Sequence, residues 1–295
     1  MVARVAAAFA DAPMVEPRTA LGVDVFGDVD QEARWLVAGV LGVTPAQLHH
    51  QASSSATLSA DALESVERAL LRRLRGEPLA YVLGTAAFRH LELAVDSRVL
   101  IPRPETECLV DEVLTLTAGR PGGVAVDIGT GSGALALSLA TEGAFAHIIA
   151  TDISADALAV ARDNAVRVQA HGRDMAPVEF RLGADLAPLE GVQARVIVAN
   201  PPYIAYEEAA ALPASVRDWE PPTALFAADE GMARYMALFA GGAFVLEPEG
   251  WIVCEVDVRR AGRTAMLAES QGFRQVQLRP DLTGRDRLLL AQRPI

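Results

Sequence analysis

From about Asp28 to Gly76 the apolar positions recur at helical spacing. In DQEARWLVAGVLG, Trp35, Leu36, Val40 and Leu41 fall on one helical face. Thr44 is placed to cap a second helix with Pro45 at its first position, where the missing N–H costs nothing. Ser59 is placed to cap a third, whose Leu63, Val66, Leu70 and Leu74 recur at steps of three and four until Gly76 and Pro78 stop it. Three short helices predict a small bundle, with domain limits at 26–86. Residues 88–101, FRHLELAVDSRVLI, alternate loosely around Asp96-Ser97 and predict a β-hairpin linker over 87–102. Pro102 and Pro104 then precede a helical run, ETECLVDEVLTL.

From Gly122 onward the period changes. Val124–Ile128, His147–Thr151, Val178–Leu182, Val196–Ala199 and Trp251–Glu255 are short apolar runs with strand character. Helical stretches separate them, clearest from Ser154 and from Gly231. Continuous apolar strands alternating with helices mean a parallel sheet covered on both faces. The closing GFRQVQLRPDLTGRDRLLLAQ predicts an antiparallel hairpin at the sheet edge. The expected architecture is therefore α/β, a Rossmann-like domain over 103–295 behind the helical domain. Residues 1–25 read as a disordered extension. No cleaved signal is expected, because the apolar stretch in MVARVAAAFADAPM is weak.

Composition narrows the function. The 295 residues suffice for about two domains. Lys+Arg of 26 against Asp+Glu of 38 leaves a formal charge of −12, which repels a phosphate backbone and counts against a dedicated nucleic-acid binder. Cys108 and Cys254 stand in no metal-ligand spacing, and the five histidines are scattered, so neither a disulfide framework nor a metal site is expected. No run reaches the roughly 18 apolar residues of a membrane span. A cytoplasmic monomer is the expectation. Arg72, Arg73 and Arg75 read as a solvated helix face, or as a local contact for a partner.

Two segments carry chemistry. In VAVDIGTGSGALALSLA, a strand runs into Gly129-Thr130-Gly131-Ser132-Gly133 and then a helix, so backbone and helix N-terminus can approach a ligand closely. Asp152 ends the next strand, nineteen residues beyond Gly133, where a carboxylate can accept from both hydroxyls of a ribose. Ala134-Leu135 stand where a phosphate-binding loop needs Lys-Ser/Thr, which argues against phosphoryl transfer. Asp127, just before the glycines, suits a positively charged ligand end and favours S-adenosylmethionine over a dinucleotide; the bland alternative is that it only caps the turn. The second segment is Asn200-Pro201-Pro202-Tyr203, directly after an apolar strand. Two prolines make it rigid and extended. The Asn200 side-chain carbonyl and the Pro201 backbone carbonyl can take both protons of a planar –NH₂ group, and the Tyr203 ring can cover its face. The alternative is a stiff turn with a packing tyrosine.

Taken together the chain resembles the protein-(glutamine-N5) methyltransferases of the HemK/PrmC type, from about Asp28 to its end. The resemblance rests on GEPLAYVLG (76–84), VLIPRPETE (99–107), DIGTGSGALALSLA (127–140), Asp152, NPPYI (200–204), EPPTALFAADEGM (220–232) and DLTGRDR (281–287). It implies a class I S-adenosylmethionine-dependent methyltransferase domain, with S-adenosylhomocysteine as the product. The substrate it implies is the glutamine side-chain amide in the Gly-Gly-Gln loop of peptide-chain release factors. It further implies that Asp127, Gly129, Thr130, Gly131, Ser132, Gly133, Asp152, Ile153, Asp185, Leu186 and Asn200 hold the cofactor. Asn200, Pro201, Pro202 and Tyr203 would hold the amide, with Arg103 and Thr106 near the substrate entrance. The helical domain would contact the rest of the release factor. One segment departs from the family: Glu255-Val256-Asp257-Val258-Arg259-Arg260 lacks the glycine and glutamine usual after that strand.

Two other classes remain open on sequence. A DNA or RNA amino-group methyltransferase, acting on adenine N6 or guanine N2, faces the same –NH₂ chemistry but should carry a basic target-reading region. A non-catalytic cofactor-binding protein would have no need of Asn200 and Tyr203.

Overall fold

A computed structural model describes residues 1–11, 29–52, 58–281 and 283–295. The chain divides into two compact units, residues 1–85 with 211–219, and residues 86–210 with 220–295. Residues 211–219 thus leave the contiguous 103–295 domain expected from sequence and group with the helical unit.

The first unit is helical: α1 (Val2–Asp11), α2 (Val29–Leu41), α3 (Pro45–Ala52), α4 (Ala60–Leu74) and the short α5 (Leu79–Leu83). Thr44 and Ser59 cap as the sequence predicts, accepting from the amides of Gln47 and Ala62 at 3.1 and 3.2 Å. Over Val2–Asp11 the expected disordered extension is replaced by a helix. Its Val5, Ala6 and Phe9 share one face and are buried in a cluster with Ala33, Leu36 and Val37 of α2. The remainder of that expectation, 12–25, lies outside the described residues. On α4, Arg73 pairs with the buried Glu32 at 2.5 Å and so leaves the solvated face expected of the three arginines. Arg72 grips Glu77 at 2.5 Å and donates to the Tyr81 and Val82 carbonyls while staying exposed, as does Arg75.

The second unit opens with a two-stranded ladder, β1 (Thr85–Phe88) and β2 (Leu91–Ala94). Its turn is at Arg89-His90 rather than the expected Asp96-Ser97. Arg89 adopts φ +51° and is held there by Glu142 and Asp111 at 2.7 and 2.8 Å, and by its own N–H to Glu107. A 3₁₀ turn (Pro104–Thr106) leads into α6 (Glu107–Thr117), and then follow β3 (Val124–Ile128), α7 (Ala134–Glu142), β4 (His147–Asp152), α8 (Ala155–Ala170), β5 (Val178–Leu182) and β6 (Ala194–Ala199). The one-turn helices α9 (Ala214–Arg217) and α10 (Pro222–Leu225) precede α11 (Ala233–Val245), β7 (Leu246–Glu255), α12 (Ala261–Ser270), β8 (Arg274–Pro280) and β9 (Asp286–Gln292). α9 falls in the first unit.

Seven strands form one sheet in the order β5-β4-β3-β6-β7-β9-β8, parallel from β5 to β7, with β9 antiparallel to β7 and β8. Alternate residues enter opposite cores. Ala125, Ile148, Val196, Val198 and Val253 meet α6 and α7, whereas Val126, Ile149, Ile197, Ile252 and Cys254 meet α11 and α12. Burial on both faces is why these strands read as unbroken apolar runs. The winding direction reverses between β3 and β6, whose register pairs Ile128 with Ala199. Residues 129 and 200 therefore leave neighbouring strand ends side by side, at the point where open α/β sheets bind ligands. Among the described residues no helix is long and apolar enough to cross a membrane.

Candidate active site

The glycine turn is bent by its own backbone needs. Gly129, Gly131 and Gly133 take φ of +73°, +54° and +86°. A Cβ added to Gly129 or Gly131 would meet nothing within 4 Å, so the turn leaves open space against its backbone. The amides of Gly129 and Thr130 both donate to the Thr151 carbonyl at 2.9 Å, which ties the turn to the end of β4. Asp152, at that end, accepts from the Gly131 amide on one oxygen and from the Ser154 amide on the other, each at 2.9 Å. Burial raises its carboxyl above the ordinary range, and the backbone donors pull it back. A second lone pair on each oxygen is left for a ligand's hydroxyls.

A cleft open to solvent runs along these strand ends. Of the residues singled out in the sequence, Gly129, Gly131, Asp152, Ile153, Asp185, Leu186, Asn200, Pro201 and Pro202 line it. The open cradle at Gly129 and Gly131, the doubly braced Asp152 and the apolar Ile128, Ile153, Leu186 and Leu238 suit a ribosyl group carrying a flat heteroaromatic ring. Arg234 of α11, which the sequence reading passed over, also lines the cleft and holds Asp185 at 3.1 Å.

Asp127, Thr130, Ser132 and Gly133 do not line the cleft. Asp127 is fully buried behind the turn, where one oxygen accepts from Thr130 Oγ1 at 2.6 Å and from the Ala136 amide at 3.1 Å, while its Oδ1 has no hydrogen-bond partner among the described residues. It braces the turn against the start of α7, the bland alternative for this residue. Burial, opposed by those two bonds, pushes its carboxyl up to about 7.

Arg103, Thr106 and Tyr203 stand behind Asn200 rather than along the cleft. Asn200 Nδ2 donates to Thr106 Oγ1 at 3.0 Å; Thr106 Oγ1 donates to Glu255 Oε2 at 2.6 Å; the Tyr203 hydroxyl donates to Glu255 Oε1 at 3.3 Å. Burial and the Glu255 charge together raise the Tyr203 phenol far above its ordinary range. Glu255 is itself raised by burial, against the pull of Thr106 and of the Arg287 charge. Sequence reading missed Glu255 as a site residue. Its signal was a lone acid ending an apolar parallel strand next to the strand that carries Asn200.

The remaining quoted segments brace this centre. Arg103 pairs with the buried Glu220 at 2.5 Å, and Glu220 also accepts from the Ile101 amide. Ile204 bridges to Phe226, joining NPPYI to EPPTALF. Gly231 stands so close to the Tyr203 carbonyl that a Cβ would lie 2.2 Å from it. In the departing segment, Arg260 takes up this work. It donates to the Glu230 carbonyl at 2.6 Å and to Glu208 at 2.8 Å, while Asp257 lies 3.4 Å from its other nitrogen. An ion-pair cluster thus holds the chain beyond Tyr203 where the resemblance led us to expect a glycine and a glutamine.

Comparison with known proteins places this geometry. Residues 25–84 match the family described as the PrmC N-terminal domain, and residues 104–214 match the methyltransferase small domain. A release factor glutamine methyltransferase from Cereibacter sphaeroides is 36% identical over 275 residues, covering 93% of this chain and 94% of its own length. One of the same name from Moorella thermoacetica is 40% identical over 227 residues, covering 77% and 78%. A crystal structure of a methyltransferase from Pyrococcus furiosus shares the fold at 17% identity with a TM-score of 0.50, covering 78% of this chain and all of that one. The two-part match and the full-length relatives show that the chain belongs to the release factor glutamine methyltransferase family.

Proposed function

We propose that this protein moves a methyl group from S-adenosylmethionine to the side-chain amide nitrogen of the glutamine in a release factor's Gly-Gly-Gln loop. The observation that carries the reading is the placement of Asn200 at the end of β6, one strand from the glycine turn, with both lining one cleft. When bound, S-adenosylmethionine supplies a methyl carbon made electrophilic by its sulfonium. Gly129, Gly131 and Asp152 hold its nucleoside end, with Ile153, Asp185 and Leu186 along the same wall.

A carboxamide nitrogen is a weak nucleophile, since its lone pair is shared with the carbonyl. Asn200 Nδ2 is committed to Thr106, so its Oδ1 is the end offered to the cleft, and the Pro201 carbonyl accepts no hydrogen bond among the described residues. Two acceptors on the two N–H bonds fix the substrate nitrogen and turn its lone pair toward the methyl group. Placement of reacting atoms at about 3–3.5 Å can supply several kcal/mol of the barrier. The N–C bond forms as the C–S bond breaks, and the nitrogen then releases one proton to solvent. No general base is needed in the transition state.

Asn200 and Pro201 are the residues in contact with the substrate amide, with Pro202 keeping them rigid. Tyr203 acts through Glu255, which its hydroxyl contacts. The test is incubation with labelled S-adenosylmethionine and, in separate arms, a release factor, duplex DNA and RNA. Label on the release factor's glutamine is expected. Label on nucleic acid alone would overturn the substrate class, and label nowhere with cofactor bound would indicate a binding protein.

A further inference from the structure

We propose that Thr106 and Glu255 are positioning residues that fix which end of the Asn200 carboxamide faces the substrate, and thereby set the rate of methyl transfer. The inference rests on the amide-gripping reading of Asn200 given above.

A carboxamide is nearly symmetric in shape but opposite in polarity at its two ends. Its oxygen welcomes a substrate –NH₂, whereas its nitrogen would set donor against donor. Something must therefore choose between the two orientations, and the choice is made behind the cleft. A carboxyl oxygen that carries no proton only accepts. Glu255 accepts from Tyr203 on one oxygen and from Thr106 on the other, at 3.3 and 2.6 Å. A hydroxyl has one proton, and Thr106 gives it to Glu255. Its remaining lone pairs can only accept, so Thr106 takes the nitrogen end of Asn200, at 3.0 Å. Polarity thus passes from Glu255 through Thr106 to Asn200, and Oδ1 is left for the substrate.

Burial separates this from an ordinary surface contact: Thr106 and Glu255 are 5% and 3% exposed, so water does not compete for these bonds.

The test compares Thr106→Val, Thr106→Ser and Asn200→Ala in the full-length protein, with a release-factor fragment carrying the Gly-Gly-Gln loop. Thr106→Val keeps the side chain's shape without its hydroxyl, and kcat should fall about 10- to 100-fold, the scale of a small misplacement at a reacting centre. KM for the fragment and the cofactor Kd should stay within about threefold. Thr106→Ser restores the hydroxyl and should recover kcat to within about threefold. A residue acting only through stability would lower Tm and leave kcat of the folded protein intact. If Thr106→Val does not fold, Thr106→Ala carries the same expectation. Wild-type kcat in either variant, with Asn200→Ala inactive, overturns the positioning role alone. An active Asn200→Ala overturns the amide-gripping reading and the positioning role with it.

Discussion

Replacing Asp127 with asparagine probes the turn that shapes the cofactor side of the cleft. Asn at this position can still accept from Thr130 and from the Ala136 amide, but it does not titrate. In the wild type, burial lifts this carboxyl from 3.8 to about 7. A folded-state value raised above the unfolded one contributes stability that is fully present below about pH 4 and lost as pH rises through 7. At 1.36 kcal/mol per pH unit the whole span is on the order of 4 kcal/mol, of which about 2–3 kcal/mol falls between pH 5 and pH 8. Urea unfolding of both proteins at pH 5, 6, 7 and 8, followed by circular dichroism, gives their difference directly, and groups that do not interact with Asp127 cancel. Asp127→Asn should gain about 2–3 kcal/mol relative to wild type between the two ends of that range. A difference that stays constant within about 0.5 kcal/mol, or that runs the other way, would show that Asp127 is not the strained buried acid described.

Two further substitutions probe other parts of the site. Asp152→Ala removes a charged acceptor facing the cleft, and S-adenosylmethionine affinity should fall by about 2–4 kcal/mol, or roughly 30- to 1,000-fold, in calorimetric titration; an unchanged Kd rejects the ribose assignment. Gly231→Ala places a Cβ 2.2 Å from the Tyr203 carbonyl at a φ of +83°. It should cost about 2 kcal/mol or more and lower Tm by several degrees, whereas a wild-type melting curve would mean that the two segments are not in contact.

Much of the fold was legible because the sheet is buried on both faces. The five parallel strands were read as short apolar runs, although the edge strand β5 has no buried residue, and Ser59 and Thr44 marked helix starts through their capping chemistry. What escaped has a physical reason in each case. α1 is short and alanine-rich, and its apolar stripe of Val5, Ala6 and Phe9 makes sense only once α2 is beside it. The β1–β2 turn carries no glycine or asparagine signal, because ion pairs with Glu142 and Asp111 hold Arg89 at positive φ. In the site, glycines, proline and the strand-end Asp152 and Asn200 were readable because backbone geometry dictates them. Residues that act from behind were not. Glu255 is 149 positions from Thr106, and only tertiary structure reveals their bond. Asp127 looked like a ligand for a cation, and its burial behind the turn, with one oxygen bonded to Thr130 and Ala136, shows only with the fold in view.

The central claim is that Asn200 activates a substrate amide beside a separately held methyl donor. It is tested most directly by single-turnover transfer of labelled methyl from S-adenosylmethionine to a release factor, with wild type and Asn200→Ala compared and cofactor affinity measured for both. The expected result is label on the Gly-Gly-Gln glutamine with wild type, a loss of at least about 100-fold in rate with Asn200→Ala, and cofactor Kd values within about threefold. Transfer by Asn200→Ala at the wild-type rate would contradict it.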